Sequence, residues 1–457
     1  MRTKRRFDLF PAIGIGLGIG LAASMPQQAS AAEPTKSSKA DLVETGRRLF
    51  FEETFDGNGR TCGTCHPATN NFTIDPAFIR RLPRRDPLFV AEFNPKLRGL
   101  ENPRLLRRFG LVLENPDGFD RPGVMRGVPH NLALNTTMNS DLPGKKNALG
   151  WGGDGSPGAG SLRLFAVGAV VQHLPKTLNR EEGVDFRLPT DDELKALEAY
   201  MLTLGRQQEI DLAAMTFAED VVEKGKELFN GGGTANRACS ACHQNAGANN
   251  DKGVNANFDT GTRFLKLKRM PPDGGFGQSH EDGIDGYGDG TINTPSLIEA
   301  ADTAPFFHNN SARTLEDAIR FYTTDSFANS PSGRFGGAFN LSRRNVNAIG
   351  ALLRTLNAME NARFANAISE DAQRTESRSE ARHKVRKALA ETKDAIRVLT
   401  RGPLRLYRDR GRDAVGNLRQ AARLQRRALR TRSRDRRIAF LDRAIRARNQ
   451  ASAAMLR

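Results

Sequence analysis

The sequence predicts a mainly α-helical protein: two like domains in tandem with long loops, followed by a basic helical extension. Three observations carry this. One five-residue pattern occurs twice, as Cys62-Gly63-Thr64-Cys65-His66 and Cys239-Ser240-Ala241-Cys242-His243. Each copy follows a similar helical segment, and each half closes on an amphipathic helix pattern. The net charge of +17 lies wholly in the last fifth of the 457 residues. Asp371 to Arg457 holds 26 basic against 9 acidic residues, and the rest balances at 43 of each.

The chain opens with basic residues from Arg2 to Arg6, an apolar stretch from about Phe10 to Ala23, and Ala29-Ser30-Ala31. That is the three-part pattern of a secretory signal over residues 1–31, and it predicts a periplasmic or otherwise exported protein. An uncleaved membrane anchor is the competing reading, but the apolar run is short and rich in glycine. No run of 18 apolar residues follows, which excludes a polytopic membrane protein. Four cysteines in this length exclude a disulfide-stapled scaffold.

All four cysteines fall in the repeated pattern, and C-x-x-C-H is the attachment motif of c-type haem. Two thiols one helical turn apart add to the two vinyl groups, and the adjacent histidine binds iron. A tetrahedral zinc site or a thiol-disulfide pair uses the same residue types. In an exported chain whose every cysteine sits in such a motif, covalent haem is the expected outcome, at Cys62, Cys65 and His66 and again at Cys239, Cys242 and His243.

Each half then reads as a cytochrome c-type haem domain, the first over residues 32–207 and the second over 208–368. Gly46-Arg-Arg-Leu-Phe50 leads the first motif and Gly225-Lys-Glu-Leu-Phe229 the second. Arg126-Gly-Val-Pro-His-Asn-Leu132 is echoed by Ile292-Asn-Thr-Pro-Ser-Leu297. The first closing helix is expected from Thr190 through Leu204, with Thr190 and Glu193 as a capping box. The second is expected from Ser342 through Leu356, with Val346, Ile349, Leu352, Leu353 and Leu356 on one stripe. The loops are long because haem fills much of each core.

From about Gly46 to Glu360 the chain resembles the bacterial di-haem cytochrome c peroxidase superfamily, which includes the MauG-type enzymes. The strongest stretch is Asn293-Thr-Pro-Ser-Leu297, Thr303-Ala-Pro-Phe-Phe-His308 and Thr314-Leu-Glu-Asp-Ala-Ile319. The resemblance implies two haem c groups. Peroxide meets the first haem, and the second relays electrons from a small electron-donor protein or a quinone-linked donor. It implies that Trp151, the single tryptophan, bridges them. It implies that Tyr322 is the distal ligand of the second iron, at a position where the peroxidases carry Met and the MauG-type enzymes Tyr. Met270 is the competing ligand. It further implies calcium between the domains, for which the carboxylate-rich loop from Asp273 to Gly290 offers ligands. His308 reads as a propionate or loop anchor, and His280 as a solvated loop residue.

The chain also departs from the peroxidases. The position of their glutamine falls on Phe165, and that of their distal glutamate near Pro175. No acid occurs between Ser161 and Lys176. Peroxide cleavage needs a positioned proton carrier, which leaves Gln172 and His173 in this segment, with His130 a weaker candidate. Between Pro67 and Pro129 there is no histidine to close the distal side. A phenylalanine at the first iron also resembles the haem-dependent rubber oxygenases, so dioxygen chemistry on an organic substrate stands as the alternative to peroxide. A non-enzymatic electron-transfer protein is the third reading.

The extension over residues 369–457 is rich in Arg, Ala and Leu, with a break at Gly402-Pro403. It reads as two or three amphipathic helices. They either pack on the body as a hairpin or adhere to an anionic membrane surface. Export argues against nucleic acid as partner.

Overall fold

The leading and closing segments of both halves are helical, and the extension is helical too. The computed structural model describes residues 38–116, 118–120, 123–138, 151–153, 155, 160–262, 265, 291–334, 336–408 and 413–457. The helices that build the frame are α1 (Lys39–Glu52), α2 (Leu162–His173), α3 (Asp191–Met201), α4 (Asp220–Phe229), α5 (Leu315–Phe321), α6 (Arg343–Arg374), α7 (Arg378–Thr400), α8 (Ala414–Arg430) and α9 (Arg434–Met455). Strand β1 (Leu111–Glu114) pairs antiparallel with β2 (Val124–Gly127), Leu111 opposite Gly127. A two-residue ladder joins β3 (Asn257–Phe258) to β4 (Ile292–Asn293). The segment expected to be a secretory signal, residues 1–31, lies outside the described residues.

Local chemistry sets the helix starts. Thr190 Oγ1 accepts the Glu193 N–H and Glu193 Oε2 accepts the Thr190 N–H, the reciprocal pair expected from the sequence. Ser342 caps α6 in the simpler way, accepting from Asn345 N–H.

Helix α6 does not stop at Leu356. It continues to Arg374, because residues 357–374 contain neither Gly nor Pro and carry Ala358, Ala362, Ala365 and Ala372 on a fully buried face. That face meets α7, so the closing helix and the extension share one continuous element.

The two halves close in the same manner. Gly46 of α1 lies against the Ala196 carbonyl and Tyr200 of α3, and Gly225 of α4 lies against the Ala348 carbonyl and Leu352 of α6. In each pair the contacted residues are four apart, one turn along the partner helix. A side chain at either glycine would push the helices apart. The first core gathers Phe50, Phe72, Leu162, Leu197 and Tyr200; the second gathers Phe217, Val222, Phe229, Ile349 and Leu352.

Helices α7 and α9 pack along α6, α8 packs on α7 and α9, and Val398, Leu399, Leu406 and Met455 join the second core. Ala218 N–H donates to the Met455 carbonyl and Arg457 N–H to the Thr216 carbonyl, so the last residues pair with the start of the second half. Part of the extension's charge is internal: Arg448 is fully buried, donating to Asn366 Oδ1, Ser369 Oγ and Thr392 Oγ1. Residues Lys39–Arg457 thus form one body. Among the described residues no helix is long and apolar enough to cross a membrane.

Candidate haem sites

The two C-x-x-C-H segments fold alike. Cys62–Cys65 is one helical turn and Cys239–Ala241 one 3-10 turn. His66 has φ −119° and ψ 60°, and His243 has φ −121° and ψ 59°. Each histidine N–H donates back to the first cysteine's carbonyl at 3.0 Å. Each imidazole is fixed through Nδ1: His66 to the Phe72 carbonyl at 2.9 Å, and His243 to the Pro295 carbonyl at 3.0 Å and Gly247 at 3.2 Å. Burial pulls both imidazoles down to about 4, so they are neutral. A neutral ring donating from Nδ1 keeps its lone pair on Nε2, the state that binds iron.

The thiols suit the same group. All four are free, and burial pushes Cys62, Cys65 and Cys239 up to about 12. Among the described residues no three His, Cys, Asp or Glu side chains cluster to hold a metal ion. Arg206 is 2% exposed; its Nη2 pairs with Glu209 at 3.3 Å and reaches Thr136 and Ser296, while its Nε and Nη1 have no hydrogen-bond partner. A buried guanidinium with free donors fits the propionate of a haem between the halves. These residues therefore fit covalently attached haem at both motifs.

Around the first motif, His130 and His173 both lie within electrostatic reach of His66. They differ in state. Burial lowers His130 to about 4, and its Nδ1 accepts the Leu132 N–H. Burial also opposes charge on His173, but the Glu114 carboxylate at 2.8 Å and the nearby Glu101 outweigh it and raise its pKa. His173 stands at the end of α2. Its Nε2 meets Glu114 on β1, and its Nδ1 is buried without a hydrogen-bond partner.

Behind it, Glu101 accepts from Arg60 at 2.9 Å and from the Leu113 N–H, and Arg60 donates to the Pro87 and Leu88 carbonyls. Gln172 is held by Leu113 and Asn115, so its amide is a clamp between α2 and β1. Asn58 adds two bonds to the His173 and Pro175 carbonyls. Glu114 ends β1, 59 residues before His173, and Glu101 lies further back in the turn ahead of Pro103; no local pattern marks either.

Trp151 packs edge-on against Phe165 at 5.5 Å between ring centroids, at the margin of the first core. Its carbonyl accepts the Gly160 N–H, and the Gly155 carbonyl accepts the Asn293 N–H of β4. The Trp151 segment thus runs from the first core to the second half.

Tyr322 follows α5 and sits among Phe321, Phe327 and Phe339, ring centroids 5.4, 5.0 and 5.8 Å away. Cys239 packs on the same cluster, and burial, aided by Cys239 and Cys242, raises the phenol's pKa. The cation of Arg237, two residues before Cys239, lies over Phe327 and Phe339 and bonds the Ser332 and Gly333 carbonyls. His308 is buried, and its carbonyl accepts the Gly127 N–H at 2.7 Å, which anchors its loop to β2. Met270, His280 and the loop expected to hold calcium lie outside the described residues.

No known protein-family profile matches the sequence. The chain is 25% identical over 353 residues to a curated protein, cytochrome-c peroxidase IdrP2 of Denitromonas iodatirespirans, covering 70% of this chain and 84% of that one. It is a distant relative of that peroxidase. Among solved structures, hydrazine synthase of Kuenenia stuttgartiensis, pressurised with xenon, aligns at 14% identity and a TM-score of 0.32, over 74% of this chain and 99% of its own. So loose an alignment carries no argument about fold or chemistry.

Proposed function

We propose that the chain is an exported haem-dependent oxidoreductase of the cytochrome-c peroxidase kind, with two domains of cytochrome c type and haem c at both motifs. The observation that carries this is the twin histidine geometry: two neutral imidazoles, each fixed at Nδ1 by a backbone carbonyl and each beside two free thiols. The distant peroxidase relative supports the choice of peroxide over the other readings. Haem supplies the redox centre. The reaction takes peroxide, two electrons and two protons to two molecules of water. Electrons enter from a small donor protein or a quinone-linked donor and pass by the second site and Trp151 to the first.

The chain's own residues divide the remaining tasks. His173, whose pKa Glu114 raises, serves as the proton carrier near the first site and replaces the glutamate that the peroxidases use. Phe165 packs on Trp151 and keeps that side apolar. Tyr322 stands as the ligand candidate of the second site.

The test is steady-state oxidation of a reduced small c-type cytochrome by the holoprotein. Peroxide-dependent turnover that falls at least tenfold in His173→Ala is the expected result. A stable dioxygen complex without peroxide turnover would favour the oxygenase reading. Two low-spin haems that peroxide leaves unchanged would favour a pure electron carrier.

A further inference from the structure

A cleft of about 330 Å³ lies between the turn after the first haem motif and helix α7 of the extension. Its walls carry Arg81, Arg386, Lys393 and Arg397, together with the Thr69 hydroxyl. One carboxylate is part of the lining, Asp394, which pairs with Arg397 at 3.0 Å, and Asp302 and Glu391 also act on Arg397 from behind it. Among the described residues Arg81, Arg386 and Lys393 form no ion pair, whereas Lys384 of α7 pairs with Asp371 and Glu380. Asp394 offsets part of the charge of Arg397 and Lys393, and the excess of cations around one concavity draws counter-charge into it. The walls come from residues 69–81 and 386–397, some 300 residues apart, so the concavity exists only because the extension folds back on the first half.

We propose that this cleft binds a small multivalent oxyanion, of the phosphate or di- and tricarboxylate class. The volume is at the small end of ligand sites, which suits a compact polar ion. Arginine forks match carboxylate or phosphate oxygens, and Lys393 adds a point charge.

The position gives the site a consequence. Asn71 lines the cleft in a left-handed conformation, φ 54°, and its side chain donates to the Asp302 carbonyl. The next residue, Phe72, also at positive φ, offers the carbonyl that fixes His66 Nδ1. An anion against this turn bears on the hydrogen bond that orients the proximal imidazole. This last step rests on the haem assignment at Cys62–His66; the binding itself does not.

The test is calorimetric titration of the holoprotein with inorganic phosphate and with citrate at low ionic strength, following the haem absorption band in parallel. Saturable binding of one anion per chain is expected, weakening with added salt, together with a shift of the haem band. The exposed pair Arg386→Ala/Lys393→Ala should weaken it at least tenfold. The equally exposed pair Arg423→Ala/Arg426→Ala on α8 should leave it unchanged. Absence of saturable binding, or equal loss in both double variants, overturns the site. Binding that leaves the haem band unmoved overturns the coupling, and a haem assay on the same sample separates this from loss of the haem itself.

Discussion

Replacing Gly225 by alanine tests the helix crossing that closes the second half. A Cβ there would overlap the Ala348 carbonyl oxygen and lie 2.7 Å from its carbon and 3.2 Å from Leu352 Cβ. Carbon atoms rest about 3.5–4.0 Å apart, so α4 and α6 must separate by about 1 Å. Both helices line the larger core, where Val222, Leu228, Phe229, Ile349 and Leu352 are all buried. Overpacking of this kind costs about 1–3 kcal/mol, against a gain below about 1 kcal/mol from alanine's helix propensity. Net destabilisation of about 1–2 kcal/mol is expected.

Gly168 on α2 is the control, because a Cβ there meets nothing within 4 Å. Gly168→Ala should therefore stabilise by about 0.5–1 kcal/mol. The assay is urea unfolding followed by far-ultraviolet circular dichroism, with both variants at equal haem content. If Gly225→Ala matched the wild type, or both substitutions shifted the midpoint in one direction, the crossing argument would be wrong. Gly46→Ala should behave as Gly225→Ala does, since its Cβ would lie 2.5 Å from the Ala196 carbonyl carbon and 2.8 Å from Tyr200 Cβ.

Other outcomes follow from individual residues. Glu114→Gln removes the largest support for the His173 cation, so the His173 pKa, read by NMR, should fall toward or below its ordinary value of 6.5. His173 is raised in the folded protein, so its contribution to stability is complete below that ordinary value and is lost as pH rises through the folded one. The wild type should show this loss in Tm on the alkaline side, and Glu114→Gln should not. Arg60→Met removes the buried cation that pairs with Glu101, leaving it the Leu113 N–H and the His173 ring 3.9 Å away, and should cost about 3 kcal/mol, the lower end for breaking a buried pair; urea midpoints unchanged within error would refute the pairing. Tyr322→Phe should change the spin state or ligand of the second haem alone, and a methionine-to-iron charge-transfer band in the wild type would count against Tyr322. A chain stopped after Ile368 would be cut inside α6 and lose the α7 and α9 partners of the second core; it should unfold well below the full chain, and an unchanged Tm would show the extension to be dispensable.

What the sequence made legible is what neighbouring residues decide. The Thr190–Glu193 cap, the stripe over Ser342 to Leu356 and the break at Gly402-Pro403 are local, and all three occur where the pattern puts them. The run of α6 past Leu356 escaped because its outer half shows no clean polar face: Ala358, Ala362 and Ala365 are buried only once α7 is present. The partners of His173 escaped for a related reason. Glu114 and Glu101 are single acids, one at the end of β1 and one in the turn ahead of Pro103, and no spacing rule ties them to α2. The basic extension looked like a surface element, yet Arg448 is internal and Met455 completes a core. Net charge describes solvation on average and is silent about which arginine faces inward.

Both C-x-x-C-H motifs are proposed to carry haem bound covalently through Cys62 and Cys65 and through Cys239 and Cys242, with His66 and His243 as the iron ligands. The direct measurement is a haemochrome assay after acid–acetone extraction, calibrated to protein concentration, on the wild type and on Cys62→Ala/Cys65→Ala and Cys239→Ala/Cys242→Ala. Two extraction-resistant haems per wild-type chain and one in each double variant are expected. One haem or none in the wild type, or haem released by the extraction, would contradict the account.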